Sequence, residues 1–146
     1  MRGVEFTVFT HATEDEDKVE RALRNVIPEG TPNVRFKSQT FSGYFKDSIT
    51  LITATIKRRE AAEVLNSTIT NLNTLDRERL LDELNERVDD SSNLYIRLDK
   101  QKAYQRRLVM EETDPIRIKF RFYPPHGTDS IDYVRSVLTD IIEGER

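Results

Sequence analysis

The chain has 146 residues, no cysteine and a formal net charge of −3 at pH 7. This length predicts one domain over residues 1–146, with a core large enough to fold without cross-links. The lack of cysteine excludes disulfides, thiol catalysis and cysteine-bound metals. No apolar run reaches the roughly 18 residues that a membrane span needs, so we expect a cytoplasmic protein with no membrane partner.

Apolar residues at every second position predict strands, and apolar residues at helical spacing predict helices. In chain order, the patterns first predict a strand over 4–11 and a helix that Thr13 caps and that carries Val19, Ala22, Leu23 and Val26. A strand over 34–41, a loop over 42–47 and a strand over 48–57 follow, and then helices over 60–72 and 76–88. The last part of the chain is predicted to form a strand over 94–98, a helical turn over 99–104, a short strand over 107–110, a strand over 116–123 and a helix that Thr128 or Asp129 caps.

Two local details carry further expectations. Thr13 and Glu16 have the spacing of a capping box, in which each side chain bonds to the other residue's backbone N–H. Leu51 and Ile52 are adjacent and interrupt the alternation of the third strand. That interruption indicates either a bulge or burial on both faces.

Strands that follow one another through short connections predict a mostly antiparallel sheet. Their half-polar patterns leave one face for solvent, while the amphipathic helices need an apolar surface to cover. The sequence therefore predicts an α+β fold with the helices packed on one face of the sheet.

The net charge hides a strong segregation along the chain. By segment, the balance is −3 over residues 1–33, +3 over 34–74, −4 over 75–93, +4 over 94–123 and −3 over 124–146. The acids fall mostly on predicted helices, and the bases fall mostly on predicted strands and their connections. The average charge therefore says nothing against a polyanionic partner.

Strand parity places many of these bases on the sheet face away from the helices. The cations and aromatic residues expected there are Arg35, Lys37, Tyr95, Arg97, Arg117, Lys119, Arg121 and Tyr123. Such a face can neutralise phosphates and offer rings for base stacking, which predicts RNA binding. The alternative is a solvated face whose cations pair with neighbouring acids.

A second basic cluster follows the fourth strand. Its candidate RNA-binding residues are Lys100, Lys102, Tyr104, Arg106 and Arg107. The functional interpretation is a phosphate-binding edge that extends the basic sheet face. The alternative is a surface connection whose Tyr104 packs under the sheet.

Candidate catalytic groups are few. Asp89, Asp90 and Asp99 could hold a divalent metal in a hydrolytic enzyme, but acids before a strand are common turn residues. His126 lies near Asp129 and Ser130, yet a catalytic triad depends on spatial convergence. The chain contains neither a nucleophile elbow nor a phosphate-binding P-loop motif. We therefore predict a protein that is not an enzyme and uses no cofactor and no metal.

Several motifs resemble a family of small archaeal proteins described as RNA-binding domain proteins or predicted exosome subunits. The matching segments are His11–Val19, Gly43–Ile49, Arg87–Asp89, Leu94–Gln101 and Asp114–Arg121. The block Asp99-Lys100-Gln101, followed by Ala103 and Tyr104, is the most specific of them.

The resemblance implies an α+β fold like that of a large-subunit ribosomal protein. It also implies RNA binding without catalysis, with RNA as the partner and exosome or ribosome-related proteins as associates. A second hypothesis, from the charge pattern, is a protein-interaction or assembly module. In that case the basic face pairs with an acidic partner or with a second copy in a homodimer.

Overall fold

The computed structural model describes residues 1–42 and 48–144, and the predicted loop over 42–47 lies outside them except for Ser42. The strands are β1 (Gly3–Thr10), β2 (Arg35–Ser42), β3 (Ser48–Lys57), β4 (Asn93–Leu98) and β5 (Ile116–Arg121). The helices are α1 (Glu16–Val26), α2 (Arg58–Asn71), α3 (Thr74–Asp82), α4 (Leu84–Arg87), α5 (Lys100–Tyr104) and α6 (Ser130–Gly144). None of these described helices is both long enough and apolar enough to cross a membrane.

The strands form one sheet in the order β2-β3-β1-β5-β4, and every neighbouring pair is antiparallel. The predicted α+β class with an antiparallel sheet is confirmed. The long strand β1 lies at the centre because its alternate side chains, such as Phe6, are completely buried. Phe6 stands opposite Ala54 on one side and Ile118 on the other, so apolar side chains meet across three strands.

The pairing register gives the sheet two distinct faces. Residues opposite each other on paired strands project from the same face, and every register here pairs even numbers with even numbers. Even-numbered strand residues therefore lie on the side of the helices, which cover those of β1, β4 and β5 and most of those of β3 with buried side chains such as Leu23 and Leu65. Odd-numbered strand residues form the opposite side, which we call the open face.

Strand β3 is regular, so the bulge, one of the two alternatives predicted for it, is absent from it. Its pairing with β1 runs without interruption from Gly3 opposite Lys57 to Thr10 opposite Thr50. Ile52 is buried in the core, and Leu51 lies half-buried on the open face. The break in alternation therefore reflects an apolar side chain on the open face.

Helix α1 begins later than the capping box predicts. Asp15 is the N-cap, and its carboxylate accepts a hydrogen bond of 3.0 Å from the N–H of Asp17. Thr13 lies outside the helix because Glu14 accepts a bond of 3.0 Å from the N–H of His11, which holds the preceding residues in a turn. The predicted cap at Thr13 is wrong. By contrast, the cap at Asp129 is confirmed, since its side chain accepts from the N–H of Asp132.

The helix predicted over 76–88 is two helices, α3 and α4. Asn73 caps α3 by accepting a bond of 2.8 Å from the N–H of Asp76, and the helical conformation is interrupted at Glu83. The apolar spacing continues across the interruption, so Leu80 and Leu84 both remain buried. Periodicity alone therefore shows no sign of the break.

The two edges of the sheet differ. The short strand predicted over 107–110 is reduced to a single bridge between Met110 and Leu98. The N–H of Asp99 donates to Val109, so this segment covers the outer edge of β4. No described segment pairs with the outer edge of β2, and all eight residues of β2 are exposed.

Candidate nucleic-acid interface

The open face is strongly basic. Among the described strand residues it carries one acid, Glu5, and seven cations, which are Arg35, Lys37, Lys57, Arg97, Arg117, Lys119 and Arg121. All six strand cations predicted for this face lie on it. Lys57 is the addition. The predicted strand over 48–57 includes it, but the adjacent Leu51 and Ile52 left the parity of that strand open in the sequence.

The cations lie in rows across the sheet. One row runs, strand by strand, through Arg35, Thr55, Glu5, Lys119 and Tyr95. The next row runs through Lys37, Thr53, Thr7, Arg117 and Arg97. Neighbouring strands are about 4.8 Å apart. In both rows a cation of β2 lies at one end and cations of β4 or β5 lie toward the other, with Thr55 and Glu5 between them in the first row and Thr53 and Thr7 in the second.

Tyr95 is the centre of the cluster on β4 and β5. Its ring centroid lies 5.4 Å from the guanidinium carbon of Arg117, 5.8 Å from that of Arg97 and 6.0 Å from the Nζ of Lys119. These cation–π contacts offset part of the repulsion among three like charges. Burial, followed by a hydrogen bond to Asp89, raises the pKa of Tyr95, so its hydroxyl stays neutral.

The turn before β4 anchors that ring. Burial opposes ionisation of Asp89, but hydrogen bonds from Asn93, Tyr95 and Ser91 lower the pKa of its carboxyl overall. The Tyr95 hydroxyl donates at 2.9 Å, and the Asn93 side chain donates at 3.1 Å. Asp89 was a candidate metal ligand in the sequence. In the structure its carboxylate accepts the hydrogen bonds that stabilise the turn before β4.

Acids neutralise part of the open face. Glu5 lies 3.4 Å from Arg121 and 3.9 Å from Arg117, and Arg97 lies 4.0 Å from Glu112. Such partly exposed pairs contribute at most about 1 kcal/mol each. The remaining strand cations of the open face, Arg35, Lys37, Lys57 and Lys119, form no ion pair with any described residue.

Tyr123 extends beyond the end of β5, because the strand stops at Arg121 instead of continuing as predicted. Its side chain is 62% exposed, and the guanidinium carbon of Arg2 lies 4.2 Å from the ring centroid. One side of the ring is therefore covered by Arg2.

Lys100 is a connecting residue inside the fold. Its side chain is 10% exposed, and its Nζ donates to the Phe9 carbonyl at 2.5 Å, to Glu14 at 3.2 Å and to Asp114 at 3.0 Å. Burial opposes ionisation of Asp114, but hydrogen bonds from Lys100 and His11 lower the pKa of its carboxyl overall. These bonds join the end of β1 to the start of α5.

The same network resembles a metal-binding cluster in its composition. Ligand-type atoms of His11, Glu14 and Asp114 lie within 4.8 Å of one another. However, the ammonium of Lys100 already bonds to both carboxylates. The positive charge that this cluster requires is therefore supplied by the chain itself.

The rest of the second basic cluster lies among the helices. Asn25 of α1 donates to the carbonyls of Ala103 and Tyr104, at 3.1 and 3.2 Å, which fixes α5 against α1. Arg106 and Arg107 line a cleft of about 720 Å³ with the C-terminal ends of α1 and α2. Arg106 and Arg107 therefore lie beside helices that cover the even-numbered side of the sheet.

Comparison with known proteins bears directly on this basic sheet. The family model described as RNA binding matches residues 3–122. The chain belongs to this RNA-binding family. The matched range contains every strand of the sheet and both basic clusters, so the predicted family resemblance is confirmed.

Three relatives of this chain come from archaea. The chain is 34% identical to the RNA-binding protein PAB1135 of Pyrococcus abyssi, over 98% of this chain and 94% of the relative. It is 30% identical to the DUF54 protein Mth689 of Methanothermobacter thermautotrophicus, with a TM-score of 0.72 over 94% and 97% of the two chains. Protein SSO0741 of Sulfolobus solfataricus shares the fold, with 20% identity and a TM-score of 0.83 over 99% of each chain.

In this member of the RNA-binding family, the open face also carries aromatic residues that charge patterns did not indicate. Phe9 and Phe41 are 45% and 47% exposed. Both are odd-numbered strand residues, so both lie on the open face. The signal for them in the sequence is parity: each stands on the polar side of its strand.

Proposed function

We propose that this protein binds RNA through the open face of its sheet and that it does so without catalysis. The observation that carries the proposal is the charge of that face, seven cations against one acid among the described strand residues. Membership of a family described as RNA binding supports the same function.

The proposed contacts are ionic. Arg97, Arg117 and Lys119 surround Tyr95 and form one phosphate-binding centre. Arg35 and Lys37 form a second centre on β2, while Arg121 extends the first toward the end of β5. Each phosphate neutralised releases condensed counterions, so affinity falls steeply with salt.

The aromatic residues and the second basic cluster have different proposed roles in RNA binding. Tyr95 positions its surrounding cations, and Tyr123 stacks a base on the side of its ring that Arg2 leaves free. The cluster of Lys102, Tyr104, Arg106 and Arg107 forms a separate RNA contact beside the cleft, and Lys100 supports that cluster from within.

A charge-reversal experiment tests the open face. The variant Arg117→Glu/Lys119→Glu/Arg121→Glu changes the face by six charge units and should abolish RNA retention on a filter at 0.1 M salt. The matched control, Lys18→Glu/Arg21→Glu/Arg135→Glu, makes the same change on α1 and α6 and should retain binding. Thermal unfolding must show that both variants fold. Undiminished binding by the first variant would contradict the proposal.

A more specific proposal concerns the place and the partners of this protein in the cell. The protein acts as an accessory factor in RNA processing in the cytoplasm, associated with the exosome or with ribosome-related proteins. Crosslinking in cells, followed by recovery of bound RNA and co-purified proteins, tests this setting. Recovery of RNA without exosome or ribosomal components would leave RNA binding standing and remove the association.

The second candidate function is assembly. The whole of β2 is exposed and its outer edge is unpaired among the described strands, which favours pairing with an acidic partner or a second copy. Light scattering in low and high salt tests it. A salt-sensitive dimer with no RNA affinity would favour assembly over RNA binding.

A further inference from the structure

The open face is divided into a basic part and an apolar end. Phe9 lies opposite Leu51, and Phe41 lies opposite Ile49. These four residues, which we call the apolar end, occupy the end of the face at which β1 and β2 finish and β3 begins. Leu51 and Ile49 are half-buried, while the two phenylalanines project as exposed rings.

Among the described residues, the lack of a stacking partner distinguishes these rings from Phe36, the other exposed phenylalanine of the sheet. Phe36, also on β2 but on the helical side, has the guanidinium carbon of Arg24 at 4.0 Å from its ring centroid. Among residues 1–42 and 48–144, no ring or cation stacks on Phe9 or Phe41. Large exposed rings grouped on one face are characteristic of a binding surface.

Cations border the apolar end directly. The adjacent row of the sheet contains Lys37, Arg117 and Arg97. An apolar protein partner would have to desolvate these charges or supply acids to match them. A nucleic-acid strand instead contains groups that match both parts of the face: its bases can stack on the rings, and its phosphates can pair with the cations.

The spacing of the rings discriminates between RNA forms. Because strands are about 4.8 Å apart and residues rise about 3.4 Å along a strand, the Cα atoms of Phe9 and Phe41 lie on the order of 12 Å apart. Stacked nucleotides in a duplex advance only about 3.4 Å each. In a duplex, moreover, the flat surfaces of the bases are covered by neighbouring bases. Two rings at this separation can therefore each receive a base only from an unstacked strand.

We infer that Phe9 and Phe41 are stacking platforms for unpaired bases, so the ligand of the open face is single-stranded RNA. This inference rests on the proposed function and specifies the form of RNA that it recognises. The basic rows bind the backbone of the strand, and the apolar end holds two of its bases.

The test compares one RNA in two forms. A fluorescein-labelled 12-nucleotide RNA without self-complementarity is titrated alone and as a duplex with its complement, by fluorescence polarisation at fixed salt. The variant Phe9→Leu/Phe41→Leu keeps apolar side chains and removes the rings. It should bind the single strand about tenfold or more weakly, because it loses two base–aromatic stacks, each worth about fivefold or more in affinity. Its duplex affinity should stay within about twofold.

The matched control is Phe9→Tyr/Phe41→Tyr, which keeps both rings and should keep the single-strand affinity. An unchanged affinity of the leucine variant would overturn the inference, as would an equal loss for single strand and duplex. Equal losses in the leucine and tyrosine variants would also overturn it. If the leucine variant converts a wild-type dimer to a monomer without affecting RNA, the apolar end belongs to a second copy and the inference fails.

The open-face charge reversal separates failure of this inference from failure of the proposed function. If Arg117→Glu/Lys119→Glu/Arg121→Glu loses binding while the leucine variant does not, only the stacking inference fails. If neither variant alters the affinity, RNA does not contact the open face and both proposals fail.

Discussion

The hydroxyl of Tyr95 donates a hydrogen bond of 2.9 Å to the carboxylate of Asp89. This bond joins the turn that precedes β4 to the ring that three cations of the open face surround. The geometry of the basic cluster on β4 and β5 therefore depends on a neutral tyrosine and an ionised aspartate that lie six residues apart.

Asp89→Asn should destabilise the protein at pH 7 by about 1–2 kcal/mol, because a charged acceptor of several hydrogen bonds is replaced by an amide. The pKa of Asp89 is lowered on folding from an ordinary value of 3.8. Its contribution is therefore complete above pH 3.8 and is lost as the pH falls through the lower folded-state value. Urea unfolding at pH 7, 5 and 3 should show the difference from wild type shrinking only below about pH 4. A constant difference would contradict this assignment.

Lys119→Gln should weaken RNA binding by removing one phosphate contact. The plot of log affinity against log salt concentration should become shallower by about 0.7–0.9, which is the value of one neutralised phosphate. Polarisation titrations at several potassium chloride concentrations measure this slope. Lys18→Gln on α1 is the matched control and should leave the slope unchanged; an equal change in both variants would argue against a localised contact.

Glu5→Gln should strengthen RNA binding. Glu5 is the acid that pairs with Arg117 and Arg121 on the open face, and its neutralisation leaves both guanidinium groups free for phosphate. An affinity gain of about two- to tenfold is expected near 0.1 M salt, with a steeper salt dependence. Glu20→Gln, in an exposed ion pair with Arg24 of α1, is the control. Weaker binding by the Glu5 variant would show that the acid supports the site.

Lys100→Met should destabilise the fold without removing an RNA contact. The thioether side chain keeps the length, but Glu14 and Asp114 lose their shared cation and the Phe9 carbonyl loses a donor. The expected loss is about 1–3 kcal/mol in the free energy of unfolding, reduced from that of a buried pair because Asp114 is partly exposed. Lys102→Met is the control in the urea titration. Equal stability of both variants would contradict a connecting role for Lys100.

Strand periodicity predicted most of the candidate site, because side chains alternate between faces with a period of two. Arg35, Lys37 and Arg117 could therefore be assigned to one face before their neighbours in space were known. A spacing of apolar residues that fits more than one arrangement of helices was less informative about where each helix ends. Leu80 and Leu84 keep helical spacing across the interruption at Glu83, so two helices have the pattern of one.

Helix starts were decided by competition between neighbouring polar groups. Thr13 and Asp15 both have capping side chains, and the bond from His11 to Glu14 selects Asp15 by holding the residues before it in a turn. The sequence contains each of these groups. Which of them are close enough to bond depends on the path of the chain.

The sequence by itself determined the alternation of the strands, the separation of acids from bases and therefore the basic character of one sheet face. Only the tertiary structure decided which cations share that face in continuous rows and which do not. Arg106 and Arg107 follow β4 by a few residues but lie with the helices, and Lys100 bonds to residues on distant segments. Local spacing specifies the direction in which a side chain points relative to its own element. The order and register of the strands, which arise from long-range packing, specify what that side chain meets.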